Sequence, residues 1–404
     1  MDQAHSAFAR LRALLAGSPA PPGLEPIQLH LGESRLAAPE IDPTPLAATA
    51  DWTRYPELGG SAGLRAAYGH WLTRRFGVAR ALTGGTIAVE PTPGTKQAVA
   101  VAIALAARPA GAASGRPPAV VMPNPYYPTY RAGTAAVGAR PVFYRPDTAG
   151  DTTGDAAPVE AAVDAAGGRA AVVIVCNPGN PQGRVLPADA LRGAAKAAAG
   201  AGALFVVDEC YTDLALDRPP TGYLALVEAD GGAPGPFLVL HSLSKRSGAP
   251  GLRSGFAAGD PATVAGYAAY NRQCGVSTPG PVNAVAAALW SDDAHVERAR
   301  RALVRNWELA DAALGHVPGY RRAEAGFFLW LPVRDDEGTA RRLWCSRALS
   351  VMPGRYLAAE EEDGVNPGAG HLRIALVHDE GPMREALARL GSALSTAPDG
   401  EEPS

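Results

Sequence analysis

The sequence predicts an α/β protein in which a mostly parallel sheet, covered by helices on both faces, is followed by a smaller α+β unit. Three observations support this class. Apolar runs alternate with alanine-rich stretches from about residue 119 to residue 242, polar residues follow several of these runs, and the alternation ends after about Asn271. We predict an N-terminal arm over residues 1–40 that belongs partly to the smaller unit, a large domain over 41–275 and a small C-terminal domain over 276–404.

The predicted strands are almost continuously apolar, as expected when a strand is buried on both faces. In chain order they are AVVMP (119–123), PVFY (141–144), AVVIVC (171–176), ALFVVD (203–208) and FLVLHS (237–242). Upstream, an amphipathic helix ends at Gly77, and a short strand turns through Pro93-Gly94 into another helix. Downstream, strands are predicted near residues 327–333 and 371–377, before a final helix. In such sheets ligands bind beyond the carboxyl ends of the strands.

The composition excludes several classes of function. The chain has 404 residues, 47% of them hydrophobic, and a net charge of −3, which favours neither nucleic acid nor an anionic membrane as a partner. The four cysteines show neither metal-ligand spacing nor a disulfide pattern. No apolar run approaches the roughly 18 residues that a membrane span needs. We therefore expect a cytoplasmic protein without a metal site.

One segment, HSLSKRSGAPGLRSGF (241–256), contains a lysine suited to amine chemistry. The chain has three lysines, Lys96, Lys196 and Lys245, against thirty-four arginines (37−3). A lysine in such a background suits a role in which the amine must lose its proton, because guanidinium cannot. A neutral amine forms imines with carbonyl substrates or with pyridoxal phosphate.

The neighbours of Lys245 favour the second of these partners. Ser242 and Ser244 flank the lysine, and Arg253 follows eight residues later (253−245), after a glycine- and proline-rich turn. Two hydroxyls and a forked cation suit a phosphate group. A loop with an exposed lysine would show the same letters, so other segments must decide.

Polar residues follow two more predicted strands. Asn180 lies in the turn NPGNPQG after the strand 171–176, and Asp208 ends the strand 203–208, with Tyr211 three residues later. A carboxylate at the end of an apolar strand needs a cationic partner, which a protonated pyridine nitrogen would supply. A helix N-cap is the other interpretation of Asp208. We interpret Asn180 as a hydrogen-bond donor to a cofactor oxygen or a substrate carboxylate, and a plain surface turn is the alternative. The strand-to-helix turn at Gly94-Thr95-Lys96 offers N–H groups to an anion, or is simply a helix start.

Taken together, these motifs resemble one family. GTK, NPYYPTY, NPGNPQG, DECY, SLSKRSGAPGLRSGF and HLRIAL occur in this order over nearly the whole chain. This set resembles the class I/II aminotransferases of fold type I, which depend on pyridoxal 5′-phosphate. Within the family it is most similar to the succinyldiaminopimelate aminotransferases, through FARLRALLAG, LHLGES, MPNPYYPTY and VNPGAGHLRIALV. The resemblance implies a seven-stranded, mostly parallel sheet in a large cofactor-binding domain.

The resemblance also implies residue roles. Lys245 would hold the cofactor as an imine and shuttle a proton, Asp208 would keep the pyridine nitrogen protonated, and Asn180 and Tyr211 would hold the phenolic oxygen. Tyr127 would stack on the ring, and Tyr55 would reach the phosphate of the neighbouring subunit in a homodimer. Arg373 would bind the substrate α-carboxylate, with Gly32 nearby, although a lone arginine on a strand is more often at the surface. The phosphate would be bound by Gly94, Thr95, Lys96, Ser242, Ser244 and Arg253.

Three departures from the family pattern concern the substrate. Gln182 stands in a turn whose end usually reads NPTG, and Ser34-Arg35 replaces proline and lysine. The stretch CGVSTP (274–279) also differs. The implied reaction is transfer of an amino group from N-succinyl-L,L-2,6-diaminopimelate to 2-oxoglutarate, with Arg35 and Arg355 as candidates for the distal carboxylate. The alternatives are another amino acid or specialised metabolite, and a lyase, decarboxylase or oxidase on the same scaffold. A cofactor-sensing regulator would need a DNA-binding module, and the sequence shows no basic recognition helix.

Overall fold

The computed structural model describes residues 6–36, 39–47, 49–146 and 156–395. The polar tail 396–404 lies outside the described residues. The strands are β1 (Ile27–Gln28), β2 (Ala88–Thr92), β3 (Ala119–Pro123), β4 (Arg140–Tyr144), β5 (Ala170–Cys176), β6 (Leu204–Asp208), β7 (Phe237–Ser242), β8 (Gly255–Gly259), β9 (Phe328–Pro332), β10 (Leu349–Ser350), β11 (Met352–Pro353) and β12 (His371–Ala375).

The helices lie between these strands and at both ends of the described chain. They are α1 (Ala7–Leu15), α2 (Thr44–Ala47), α3 (Thr49–Trp52), α4 (Ala62–Phe76), α5 (Ala79–Thr83), α6 (Thr95–Ser114), α7 (Pro128–Ala136), α8 (Ala157–Ala165), α9 (Ala188–Gly200), α10 (Tyr223–Asp230), α11 (Leu243–Arg246), α12 (Pro261–Gln273), α13 (Gly280–Ser291), α14 (Ala294–Leu314), α15 (Asp336–Arg347) and α16 (Glu380–Ser395). Short 3₁₀ turns occupy Pro250–Leu252 and Gly354–Leu357.

A seven-stranded sheet in the order β2-β8-β7-β6-β5-β3-β4 forms the centre of the larger unit. Strands β3 to β7 pair in parallel, and β8 pairs antiparallel with both β7 and β2. The predicted α/β class and mostly parallel sheet are confirmed. The prediction missed β8, whose sequence is GFAAG. Its glycines suit the crowded position, since a Cβ at Gly259 would lie 2.2 Å from the Phe237 carbonyl oxygen.

Helices cover both faces of this sheet, as the apolar strands predict. On one face, α4 and α13 contribute Trp71 and Trp290 to a buried core. On the other, α6, α7 and α12 form a second core that includes Ile103, Tyr130 and Tyr267. Helix α13 lies after the predicted boundary at residue 275, yet it packs in the core of the large sheet. The three predicted domain ranges stay predictions.

The smaller unit contains a three-stranded antiparallel sheet in the order β11-β12-β9. The N-terminal segment joins this unit, because Ile27 and Gln28 of β1 pair in parallel with Leu349 and Ser350 of β10. Two more backbone bonds continue the attachment: Ala375 N–H donates to the Leu29 carbonyl (2.7 Å), and Arg35 N–H to the Val377 carbonyl (3.0 Å). Across the described ranges, no helix combines the length and apolar character needed to cross a membrane.

Candidate active site

A cavity of about 270 Å³ lies at the carboxyl ends of β5, β6 and β7, where parallel sheets bind ligands. Ten of the predicted site residues line it: Thr95, Lys96, Tyr127, Asn180, Asp208, Tyr211, Ser242, Ser244, Lys245 and Arg253. Five further lining residues were not predicted: Glu33, Tyr130, Cys176, Cys210 and Pro250. Residues from segments far apart in the sequence therefore meet at one place.

Lys245 lies in the one-turn helix α11 directly after β7. The Ser242 hydroxyl starts this helix by accepting a hydrogen bond from the Ser244 N–H at 3.1 Å. The Lys245 amine donates to the carbonyl oxygen of Gly32, and its Nζ lies 5.4 Å from the centre of the Phe327 ring. Burial lowers the pKa of Lys245 to about 8, so a substantial fraction of the amine is neutral near pH 8.

Asp208 is a buried carboxylate, 6% exposed, at the end of β6. Its Oδ2 accepts a hydrogen bond from the Tyr130 hydroxyl at 2.7 Å, and its Oδ1 accepts one from the Cys210 N–H at 3.2 Å. Burial raises the pKa of Tyr130, and the charge of Asp208 raises it further, so the hydroxyl stays a donor. In the described ranges no lysine, arginine or histidine forms an ion pair with Asp208. Its negative charge is uncompensated, which favours a cationic ligand.

Arg373 is a buried cation that forms no ion pair with any carboxylate of the described residues. It is 6% exposed on β12, and its guanidinium lies over the Phe328 ring at 4.1 Å. It donates to the His30 carbonyl (3.2 Å) and weakly to Asn180 Oδ1 (3.5 Å), while its Nε has no hydrogen-bond partner among the described atoms. Burial lowers the pKa of Arg373 to about 10, so the group remains charged at neutral pH. A buried guanidinium with a free edge favours an anionic ligand.

Asn180, which lines the cavity, connects it to this cation. Besides accepting from Arg373, it donates from Nδ2 to the Tyr211 hydroxyl oxygen at 3.2 Å. Burial raises the pKa of Tyr211 well above its ordinary value. The Asn180 amide and the Tyr211 hydroxyl are therefore both neutral groups able to hydrogen-bond an oxygen in the cavity.

Hydroxyls, helix N–H groups and one arginine line another part of the cavity. Helix α6 begins at Thr95 after Gly94, which has a φ of 92°. That positive φ favours glycine, and a Cβ at Gly94 would also displace the Arg253 guanidinium, which would lie only 2.4 Å away. Arg253 itself adopts a left-handed conformation (φ 52°) and donates to the carbonyls of Pro250 (2.8 Å) and Pro93 (3.2 Å). This combination suits a phosphate.

Four predicted residues do not line the cavity: Gly94 and Arg373, which adjoin the lining residues Arg253 and Asn180, and Gly32 and Tyr55. Gly32 borders the cavity through its carbonyl bond to Lys245, and a Cβ there would meet the Phe328 ring at 2.5 Å. Tyr55 is completely exposed, at 101% of its reference area, and does not line the cavity of its own chain. Its predicted contact with a neighbouring subunit stays a prediction.

The residues that depart from the family pattern have these positions. Gln182 lies in a small neighbouring cavity of about 50 Å³ that shares Cys176 and Asn180 with the main one. Arg35 is exposed. Arg355 forms ion pairs with Asp336 (2.6 Å) and Glu337 (2.9 Å), so its charge is already compensated.

Only some of the unpredicted lining residues could have been found from the sequence. Cys176 is the last residue of a predicted strand, and in the sheet it pairs with Asp208. Cys210 lies between Asp208 and Tyr211, and its sulfur is 3.2 Å from the Thr95 hydroxyl. Burial raises the pKa of both thiols, so they remain protonated. Tyr130 gave no signal beyond its place in the motif NPYYPTY.

Known proteins share this architecture. The family model described as aminotransferase class I and II matches residues 28–390. The 4-dedimethylamino-4-oxo-anhydrotetracycline transaminase OxyQ of Streptomyces rimosus is 33% identical over 371 residues, covering 92% of this chain and 94% of that protein.

Solved structures agree. An aminotransferase from Neisseria meningitidis superposes with a TM-score of 0.86 at 32% identity, covering 96% of this chain and 97% of the other. N-succinyldiaminopimelate aminotransferase from Mycobacterium tuberculosis shares the fold, with a TM-score of 0.77 at 24% identity and coverage of 96% and 97%. The chain therefore belongs to the class I and II aminotransferases, a family of enzymes that use pyridoxal 5′-phosphate.

Proposed function

We propose that the cavity binds pyridoxal 5′-phosphate and transfers an amino group between an α-amino acid and a 2-oxo acid. The groups present fit the cofactor. The uncompensated Asp208 carboxylate suits a protonated pyridine nitrogen, and the space at Gly94 that only a glycine leaves open lies against Arg253, where a phosphate would bind. Lys245 supplies a buried amine of lowered pKa for the aldehyde.

The proposed roles follow from these contacts. Lys245 is the covalent attachment point, and Asp208 pairs with the ring nitrogen. Asn180 and Tyr211 hold the ring oxygen, and the Tyr127 ring stacks on the cofactor. The phosphate is bound by Gly94, Thr95, Ser242, Ser244 and Arg253, with Lys96 close by and Tyr55 contributed by the partner of a homodimer. A cytoplasmic location stays a prediction.

Each protein group has a defined task in the transfer. When bound, the cofactor supplies an aldehyde that condenses with amines and a ring that accepts electrons. The Lys245 amine would be the base that takes the proton from the substrate Cα and holds it for return. The Asp208 carboxylate accepts two hydrogen bonds and would pair with the protonated ring nitrogen. Arg373 and Asn180 orient the substrate so that one Cα bond is held for cleavage.

The observation that carries the substrate class is the free edge of Arg373. A buried guanidinium with an orphaned Nε, beside an amide and above an aromatic ring, matches the planar α-carboxylate of an amino acid. Because Asn180 contacts both Arg373 and Tyr211, a carboxylate bound there would lie next to the cofactor ring. This supports the same binding mode for the amino acid donor and the 2-oxo acid acceptor.

For the physiological pair we propose N-succinyl-L,L-2,6-diaminopimelate and 2-oxoglutarate. The support is the motif similarity to succinyldiaminopimelate aminotransferases and the presence of Lys96 in the cavity. Lys96 Nζ lies 5.8 Å from the Tyr127 ring, and in the described ranges it forms no ion pair. A cation there suits a distal carboxylate, which both proposed substrates carry.

A ketone on a polycyclic metabolite is the second candidate for the amino acceptor. Two observations favour it: the 33% identity to a transaminase named for a 4-oxo-anhydrotetracycline, and the state of the two arginines considered for a distal carboxylate. Arg35 is exposed, and Arg355 is paired with Asp336 and Glu337. Such an acceptor would have no α-carboxylate for Arg373.

A half-reaction tests the function and separates the two candidates. Holoenzyme given an α-amino acid alone should release one equivalent of 2-oxo acid per bound cofactor, with loss of the absorbance of the aldehyde form. Arg373→Lys should lower kcat/KM for α-amino acids by about 10- to 100-fold, because lysine keeps the charge but cannot donate two parallel hydrogen bonds to a carboxylate. A kcat/KM for a 4-oxo polycyclic acceptor that is insensitive to Arg373→Lys would support the second candidate. No oxo acid release from any donor would contradict the proposal.

Cofactor uptake should depend on the protonation state of Lys245. Burial lowers its pKa from 10.5 to about 8, and only the neutral amine attacks an aldehyde. Covalent capture of pyridoxal 5′-phosphate by the apoenzyme should therefore rise with pH to a plateau, with a midpoint near 8. Stopped-flow absorbance across pH 6–10 measures this. A rate that keeps rising to pH 10 would mean that the amine is not buried in solution.

A further inference from the structure

Glu33 places a carboxylate on the wall of the cavity that no proposed role uses. It lines the same cavity as Lys245, and no hydrogen bond or ion pair to it occurs among the described residues. Lys245 is a cationic neighbour: the negative charge of Glu33 raises the pKa of Lys245, opposing the larger effect of burial. An unpaired carboxylate at this position is available to a ligand.

The backbone holds Glu33 on the substrate side of the cavity. The preceding Gly32 carbonyl accepts the Lys245 amine, and Gly32 packs against the edge of the Phe328 ring. The face of the same ring carries the Arg373 guanidinium at 4.1 Å. Glu33 therefore directly follows Gly32, which contacts both the Lys245 amine and the Phe328 ring. That ring lies beneath Arg373, the proposed ligand of the substrate carboxylate.

The next two side chains on this segment are directed elsewhere. The Ser34 hydroxyl accepts a hydrogen bond from the Leu36 N–H at 3.4 Å. The Arg35 backbone is bonded to the Val377 carbonyl at 3.0 Å, and its side chain is exposed. Of these three residues, Glu33 is the one that lines the cavity.

We propose that Glu33 determines specificity for the amino donor by accepting a hydrogen bond from an N–H or O–H group on the substrate side chain. Glu33 would repel a carboxylate on the substrate side chain at the same point. Lys96 would attract such a carboxylate elsewhere in the cavity. The inference rests on the proposed function and narrows its donor class to amino acids with a side-chain donor. The amide N–H of an N-acylated diamino acid belongs to that class.

Three donors of equal chain length measure this preference. L-Lysine, L-norleucine and L-2-aminoadipate share a six-carbon chain, in which C6 carries the ammonium in lysine, is a methyl group in norleucine and is the carboxylate carbon in aminoadipate. In single-turnover half-reactions, Glu33→Gln should lower the lysine to norleucine ratio of kcat/KM by about three- to tenfold, and raise the aminoadipate to norleucine ratio similarly. Glu33→Asp should preserve the direction of the wild-type preference.

The controls distinguish failure of this proposal from failure of the proposed aminotransferase function on which it rests. Glu308→Gln, on the exposed surface of α14, should leave both ratios unchanged. Ratios within twofold of wild type in an active Glu33→Gln enzyme would overturn the inference and leave the aminotransferase assignment intact. Absence of a half-reaction with all three donors in the unmodified holoenzyme would instead contradict the proposed function, and the inference with it.

Discussion

Replacing Lys245 with alanine is expected to lower the rate of the half-reaction by about 10⁴-fold or more, because both covalent attachment and proton transfer are lost. The cavity should still bind the cofactor, since the residues proposed to bind its phosphate are unchanged. Single-turnover absorbance measures the rate, and equilibrium dialysis measures the retained cofactor. The amine should be irreplaceable by arginine, which does not deprotonate at neutral pH.

Borohydride reduction of the holoenzyme followed by peptide mapping supplies the direct check. The cofactor mass should appear on the peptide that contains residue 245. Lys196→Ala is the matched control, because Lys196 is exposed on α9 and does not line the cavity. Modification of Lys96 or Lys196 in place of Lys245 would refute the assignment of the reactive amine.

Asp208→Asn is expected to lower kcat by about 10²- to 10³-fold, with a much smaller change in KM. The amide cannot supply the negative charge that keeps the ring nitrogen protonated, and losing one partner of a buried charge pair costs about 3–5 kcal/mol. The ring spectrum should shift toward the form with an unprotonated nitrogen. The fold should tolerate the change, since the amide oxygen can still accept one of the two hydrogen bonds.

Tyr130→Phe gives a graded comparison for the same carboxylate. It removes the 2.7 Å hydrogen bond to Oδ2 but leaves the charge and the Cys210 N–H bond. A loss of about tenfold in kcat is expected, corresponding to one hydrogen bond to a charged group. If Asp208→Asn had no larger effect than Tyr130→Phe, the proposed pairing of Asp208 with the cofactor would be wrong.

The parallel strands were predictable because a strand that is buried on both faces has an almost continuously apolar sequence. Strand β3 was predicted with its observed limits, Ala119–Pro123. Strand β8 was not, because GFAAG lacks the β-branched residues that mark a strand. Its identity depends on crowding against β7, where a Cβ at Gly255 would lie 2.6 Å from the His241 carbonyl oxygen. That is a tertiary property, and no local pattern reveals it.

The site residues likewise include some that could be predicted from the sequence and some that could not. Lys245, Asn180 and Asp208 follow apolar strands, so their meeting could be predicted from the topology of a parallel sheet. Tyr130 lies within α7, and its contact with Asp208 depends on how that helix packs. Arg373 was ambiguous for a similar reason, since an alternating strand has an exposed and a buried face. Pairing with β9 and β11 and contact with the N-terminal segment place it inside.

The attachment of the N-terminal segment to the smaller unit has a consequence for biosynthesis. Ile27 pairs with Leu349, 322 positions later (349−27), so the first strand has no partner until most of the chain has left the ribosome. Gly32 and Arg373, which meet at the Phe328 ring, come together only at the end of translation. A nascent chain released before residue 373 would contain Lys245 and the central sheet but would lack Arg373, the proposed ligand of the substrate carboxylate.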